Sequence, residues 1–160
     1  MYPTARNTRL DGPDGVARYD PGVLVISRAA LADMIGLALD EYPLEACGLI
    51  TGPPRPGGGA GDGAHEFHRC TNIAESARVY TIDPKDHLRI EREADDRDWE
   101  VNGVVHSHTH SEPYPSPTDV AAAPDPTWHY VIISLKRESP EVRSYRIVDG
   151  QITSEPIAVR

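Results

Sequence analysis

Cysteine is scarce in this 160-residue chain, and the two present, Cys47 and Cys70, form neither a C-x-x-C pair nor the framework of a secreted mini-domain. A structural thiolate zinc site is thereby excluded, and a reducing cytoplasm is the simplest setting. No apolar run approaches the roughly 20 residues that a membrane span needs. The N-terminus also lacks the basic-then-apolar pattern of a signal peptide, so a soluble cytoplasmic protein without a membrane partner is expected. Positive charge is in deficit as well: 16 Lys and Arg against 25 Asp and Glu leave a net charge of −9. That balance opposes an electrostatic grip on phosphate backbones and sets nucleic acid aside as a partner. The G-x-x-x-x-G-K-[ST] phosphate loop is missing too. What is present, 39% hydrophobic and 26% charged residues, fits one globular domain whose core stands without disulfide staples.

Along the chain, residues 1–21 are polar and without apolar periodicity, and read as a flexible leader to a domain spanning residues 22–160. Residues 23–27 form a short strand-like run, after which Ser27 can cap a helix carrying Leu31, Met34, Ile35, Ala38 and Leu39 at helical spacing. Pro43 marks its end. Residues 45–51 read as a buried strand, and the Gly/Pro-rich residues 53–64 as a tether. Two more strands are predicted over residues 65–72 and 78–82. Asp83-Pro84 then opens a helix to about Asp98 whose many charges are a solvated face. Residues 101–108 and 129–135 are predicted strands on either side of a short helix over residues 116–123. Residues 142–148 and 151–159 close the chain as strands joined by the hairpin signal Asp149-Gly150. Strands interleaved with helices make this an α/β or α+β sheet domain.

The chemistry concentrates between Val104 and Asp119. His106 and His108 stand two apart at the end of an apolar strand, so alternation puts both imidazoles on one face. Two imidazoles converging on one point suggest a metal. Asp119 follows after a Pro-containing loop that can turn the chain back, and can add an oxygen ligand that leaves a fourth position open. The run Ser116-Pro-Thr-Asp119 is also ordinary helix-start chemistry, with Ser at N-cap and an acid at N3. The two readings are compatible, because a capped helix start would hold both side chains rigidly. Nothing local distinguishes Glu45 from a carboxylate at the start of a surface strand. Cys47, in an apolar strand, reads as a small buried residue. His110 and Glu112 sit in the loop between the ligands and can line a groove or simply face solvent. His65, His68, His87 and His129 lack ligand spacing, and Trp99 and Trp128 read as packing residues.

His106-x-His108-x7-Ser116-x2-Asp119, with Glu45 upstream in Glu-Ala-Cys-Gly, resembles the JAMM motif of the MPN+ metalloprotease family. The resemblance spans roughly residues 23–160 and matches the motif at all five positions. It implies a single MPN-type α/β domain with a central mixed β-sheet flanked by helices and a cytidine deaminase-like architecture. It further implies that His106, His108 and Asp119 bind Zn²⁺, that Glu45 holds a water and shuttles its proton, and that Ser116 donates to the oxyanion. Tyr114-Pro-Ser, His129-Tyr-Val and Ser144-Tyr-Arg-Ile-Val-Asp-Gly resemble in particular the branch that releases cysteine from sulfur carriers. The implied partner is a ubiquitin-like sulfur carrier protein ending in Gly-Gly, whose tail enters as an extended strand. Nothing in the sequence is diagnostic of oligomeric state; a homodimer is left open on general frequency.

Other readings stay open at this point. A related peptidase would trim a carrier's C-terminus, and a deubiquitinase would use insertions for which this chain offers little room. A non-enzymatic MPN scaffold would have lost ligands that are all present here. A zinc nucleobase deaminase expects a downstream P-C-x-x-C, which does not occur.

Overall fold

The computed structural model describes residues 22–54 and 65–160. The expected leader, residues 1–21, and most of the expected tether lie outside these. A short strand β1 (Leu24–Ile26) leads into α1 (Arg28–Glu41), whose N-cap Ser27 accepts a hydrogen bond from the Ala30 amide. Then follow β2 (Cys47–Gly52), β3 (Glu66–Cys70), α2 (Pro84–Asp95), β4 (Glu100–His108), α3 (Pro117–Ala121) and β5 (His129–Ser134). The strands β6 (Glu141–Val148), β7 (Gln151–Glu155) and β8 (Ile157–Val159) complete the chain.

Six strands form one mixed sheet in the order β3-β2-β4-β5-β6-β7, parallel only between β4 and β5. Both faces are covered, which is why adjacent apolar residues are buried at Val104-Val105 in β4 and from Tyr130 to Ile133 in β5. Leu49, Val104, Tyr130 and Ile132 pack with Ile90 of α2 on one face. Their strand neighbours Ile50, Val105, Val131 and Ile133 pack with Met34 and Ala38 of α1 on the other. Gly48 permits the β2–β3 approach: a Cβ there would lie 2.5 Å from the His68 carbonyl oxygen. Among the described residues no helix is long and apolar enough to cross a membrane.

Three sequence expectations are corrected. Residues 78–82 make only a single bridge, Asn72 with Ile82. The Asn72 side chain takes the place of a ladder, donating to the Val79 carbonyl and accepting from the Thr81 amide. Residues 151–159 are two strands, because Pro156 lacks an amide hydrogen and ends the ladder with β6. Beyond it β8 crosses to pair in parallel with β1. The helix after Asp83 ends at Asp95, three residues early, in a turn with Asp98 at φ 55°. The predicted hairpin at Asp149-Gly150 forms with both residues at positive φ. A buried network ties its two strands to β5: Glu155 accepts from Ser144 and Arg146 and lies 2.5 Å from His129 Nδ1.

Candidate metal centre

The centre stands where β4 ends. His106 and His108 share the α2 face of the sheet, and the chain returns through residues 109–115 to α3. Tyr145 helps to hold that return: its Oη donates to the Pro113 carbonyl, and its ring meets that of Tyr114 edge to face at 5.5 Å. Ser116 and Asp119 then form a capping box. Ser116 Oγ accepts from the Asp119 amide at 3.1 Å, and Asp119 Oδ2 accepts from the Ser116 amide at 2.8 Å. The capping and ligand readings of this tetrapeptide therefore meet in one carboxylate.

The same Oδ2 faces both imidazoles. It lies 3.3 Å from His106 Nε2 and 3.1 Å from His108 Nε2, and those two nitrogens are 3.1 Å apart. Metal–ligand bonds of about 2.0–2.1 Å at tetrahedral angles put donor atoms about 3.3 Å from one another, so the triangle fits a cation bound by all three. Among the described residues it is the one such group. The Nδ1–H of His108 donates to the Glu112 carbonyl at 2.8 Å, which selects the tautomer whose Nε2 lone pair points into the triangle. The His106 ring lies stacked on Tyr80 at 4.4 Å. Burial lowers the His106 pKa and so favours the neutral, donating form. Burial works against the Asp119 carboxylate, yet the two imidazoles facing its Oδ2 and the Ser116 amide hold it ionised, below the usual range.

Glu45 precedes β2, and long-range contacts bring it here. Ser107, between the two histidines, points toward β2: its Oγ accepts from the Ala46 amide at 2.7 Å, and its own amide donates to the Ala46 carbonyl at 3.0 Å. This clamp sets Cys47 opposite His106. The Glu45 amide donates to the Ser76 carbonyl, and its carbonyl accepts from Asn72 Nδ2. The side chain is 4% exposed, and its Oε2 has no hydrogen-bond partner. Burial pushes the carboxyl up to about 7, with His108 opposing and Asp119 assisting. Cys47 is buried with its thiol pushed up to about 12, chiefly by burial, which leaves it inert as a nucleophile.

A stability prediction follows from Glu45. Its folded pKa of about 7 lies above the unfolded value of 4.5, so the folded state binds more protons between the two and loses stability as pH rises through that window. Removing the ionisable group in Glu45→Gln is expected to raise metal-free stability by up to about 3 kcal/mol at pH 8, with the gain shrinking toward pH 4.5. Urea unfolding at both pH values measures it; a gap independent of pH would contradict the assignment.

Tyr80, Ser107, Asn72 and Tyr145 hold the site and are not among the candidates the sequence offers. Ser107 carries a signal, since alternation turns it away from its flanking histidines, and Tyr145 falls in a segment that bears the family resemblance. Glu112 and His110, the two loop candidates, are engaged. Glu112 pairs with Lys136 and Arg137 at 2.9 Å each, and His110 lies against Thr109 Oγ1 and Tyr42 Oη. An apolar cavity of about 360 Å³ opens beside the triangle, reaching Asp119 and lined by Val79, Ile82, Val104, Ala122 and Trp128 among others.

Residues 27–148 match the family model described as prokaryotic homologs of the JAB domain. The chain is 40% identical over 139 residues to the CysO-cysteine peptidase of Mycobacterium tuberculosis, covering 86% of this chain and 91% of that protein. It is 31% identical over 102 residues to the desampylase of Haloferax volcanii, covering 61% and 67%. Among solved structures, a Desulfitobacterium hafniense protein superposes with TM-score 0.72 at 26% identity, over 86% of this chain and 92% of that one. A JAB1/MPN domain protein of Archaeoglobus fulgidus shares the fold at TM-score 0.53 and 19% identity, over 83% and 97%. With the family model covering most of its length and a 40% identical relative spanned almost end to end, the chain belongs to the prokaryotic JAB (JAB1/MPN) domain family.

Proposed function

We propose that this protein is a zinc-dependent amide hydrolase that cleaves after the C-terminal Gly-Gly of a ubiquitin-like sulfur carrier and releases cysteine in the cytoplasm. The observation that carries the chemistry is a buried carboxyl with one unpartnered oxygen, Glu45, beside three convergent donor atoms. The substrate class is supported by the peptidase relative, which this chain matches over 91% of its length. Two free thiols, Cys47 and Cys70, suit a reducing compartment.

In this reading His106, His108 and Asp119 hold Zn²⁺. When bound there, the cation supplies Lewis-acid chemistry, polarising the scissile carbonyl and lowering the pKa of water at the open position to roughly 7. Glu45 takes a proton from the attacking water as its oxygen bonds to the glycine carbonyl carbon. The carbon–nitrogen bond then breaks, and Glu45 returns the proton to the leaving amine, giving a glycine carboxylate and free cysteine. A carboxyl near neutrality suits both halves of that exchange. Ser116 Oγ spends an acceptor lone pair on the Asp119 amide, which leaves its O–H free to donate to the carbonyl oxygen as negative charge builds there.

Intact mass tests the reading. The zinc-loaded protein is expected to shorten a carrier ending in Gly-Gly-Cys by one cysteine; a carrier left unchanged would overturn it. Ser116→Ala is expected to cut that rate by about 10²- to 10³-fold. Ser116→Asn, which keeps an N-cap acceptor but has no hydroxyl, should be nearly as slow if the O–H matters. A Ser116→Asn enzyme as fast as wild type would assign Ser116 to capping alone.

A further inference from the structure

Glu45 stands beside the donor triangle without being among the residues that line the apolar cavity. The cavity reaches Asp119 and is walled by residues 79–82 and α3. Because Glu45 hands the proton to the leaving amine in the mechanism above, the departing residue sits beside Glu45. Residues 76 and 77 border Glu45 and the end of β4. Ser76 accepts from the Glu45 amide, and the Ala77 carbonyl accepts from Thr109 Oγ1, just beyond His108. The loop is stiff for its length, since Ser76 Oγ accepts from the amides of both Arg78 and Val79.

Arg78 is the next residue of this rim. It is exposed, and among the described residues its guanidinium has no carboxylate partner. The other cations near the centre are already matched: Lys136 and Arg137 pair with Glu112, and Arg137 also with Glu141. A departing C-terminal residue carries a free carboxylate into a protein of net charge −9 and past Glu45 and Asp119. An unpaired cation on that side is what such a group requires.

We propose that Arg78 determines specificity on the leaving side, its guanidinium receiving the free α-carboxylate of the departing residue and so favouring removal of a single C-terminal amino acid over cleavage within a longer chain. This rests on the hydrolase reading above. The test compares a carrier ending in Gly-Gly-Cys with the same carrier bearing a C-terminal carboxamide. Wild type is expected to cleave the acid faster than the amide by about 10- to 100-fold, the worth of one charge-assisted contact. That ratio should collapse to near 1 in Arg78→Gln, recover in part in Arg78→Lys, and persist in Arg92→Gln, which removes a distant exposed cation. Calorimetric binding to Glu45→Gln protein, with and without Arg78→Gln, should show the same discrimination without turnover. Equal wild-type rates on acid and amide, or a ratio retained in Arg78→Gln, would overturn the anchor while leaving the hydrolase reading intact. Cleavage of neither substrate would bring down the hydrolase reading, and the anchor with it.

Discussion

Glu45→Gln is expected to bind as much metal as wild type and to turn over a Gly-Gly-Cys carrier about 10²- to 10⁴-fold more slowly, the usual worth of general acid–base catalysis. The substitution keeps shape and volume and removes only the ability to carry a proton. Metal content should not change, because the triangle comprises His106, His108 and Asp119 alone. The size of the effect follows from where the carboxyl sits. Its backbone is fixed by Ser76 and Asn72, and its buried Oε2 has no protein partner. Burial pushes it up in the metal-free protein, so it holds a proton more readily than an exposed carboxylate does. A variant retaining more than about a tenth of wild-type turnover would remove Glu45 from the reaction. Metal content by mass spectrometry, taken beside steady-state rates, separates this outcome from a failure to load.

Asp119→Asn is expected to weaken metal binding by at least about 100-fold and to reduce cleavage to background. This variant separates the two jobs of the residue. An Asn side-chain oxygen can still accept from the Ser116 amide, so the start of α3 should persist with little loss of stability. What disappears is the negative charge facing His106 Nε2 and His108 Nε2 at 3.3 and 3.1 Å. Competition against a chelator of known affinity measures the first effect, and thermal unfolding of the metal-free protein checks the second. Undiminished metal affinity would mean that Asp119 serves the helix cap and not the cation. A non-enzymatic scaffold is distinguished in the same experiments, since it has no turnover for either variant to lose.

Much of the centre was legible because its residues lie on regular elements. His106 and His108 fall on one face by the period of a strand, and Asp119 follows a Ser-Pro start that fixes it at N3 of a helix. Glu45 was legible only through the family resemblance, because its position depends on contacts distant in sequence: the Ser107 clamp across β2 and β4, and its bonds to Asn72 and Ser76. The same Asn72 explains the misread strand. Residues 78–82 have strand composition, but the side chains of Asn72 and Ser76 take several of their backbone groups, so they form a rim over the site instead of a ladder. The break at Pro156 is visible in the sequence as a lost donor. The switch of β8 to a partner 133 residues earlier, Ile157 opposite Leu24, is not.

In the proposed mechanism a cation held by His106, His108 and Asp119 makes the neighbouring Glu45 catalytic. Stepwise titration of chelator-stripped protein with Zn²⁺, following bound metal and release of cysteine from a Gly-Gly-Cys carrier in the same samples, tests it most directly. Cleavage is expected to be absent at the start, to rise in proportion to bound metal, and to level off at one equivalent. Full cleavage by the stripped protein, or a saturated site without cleavage, would contradict the claim.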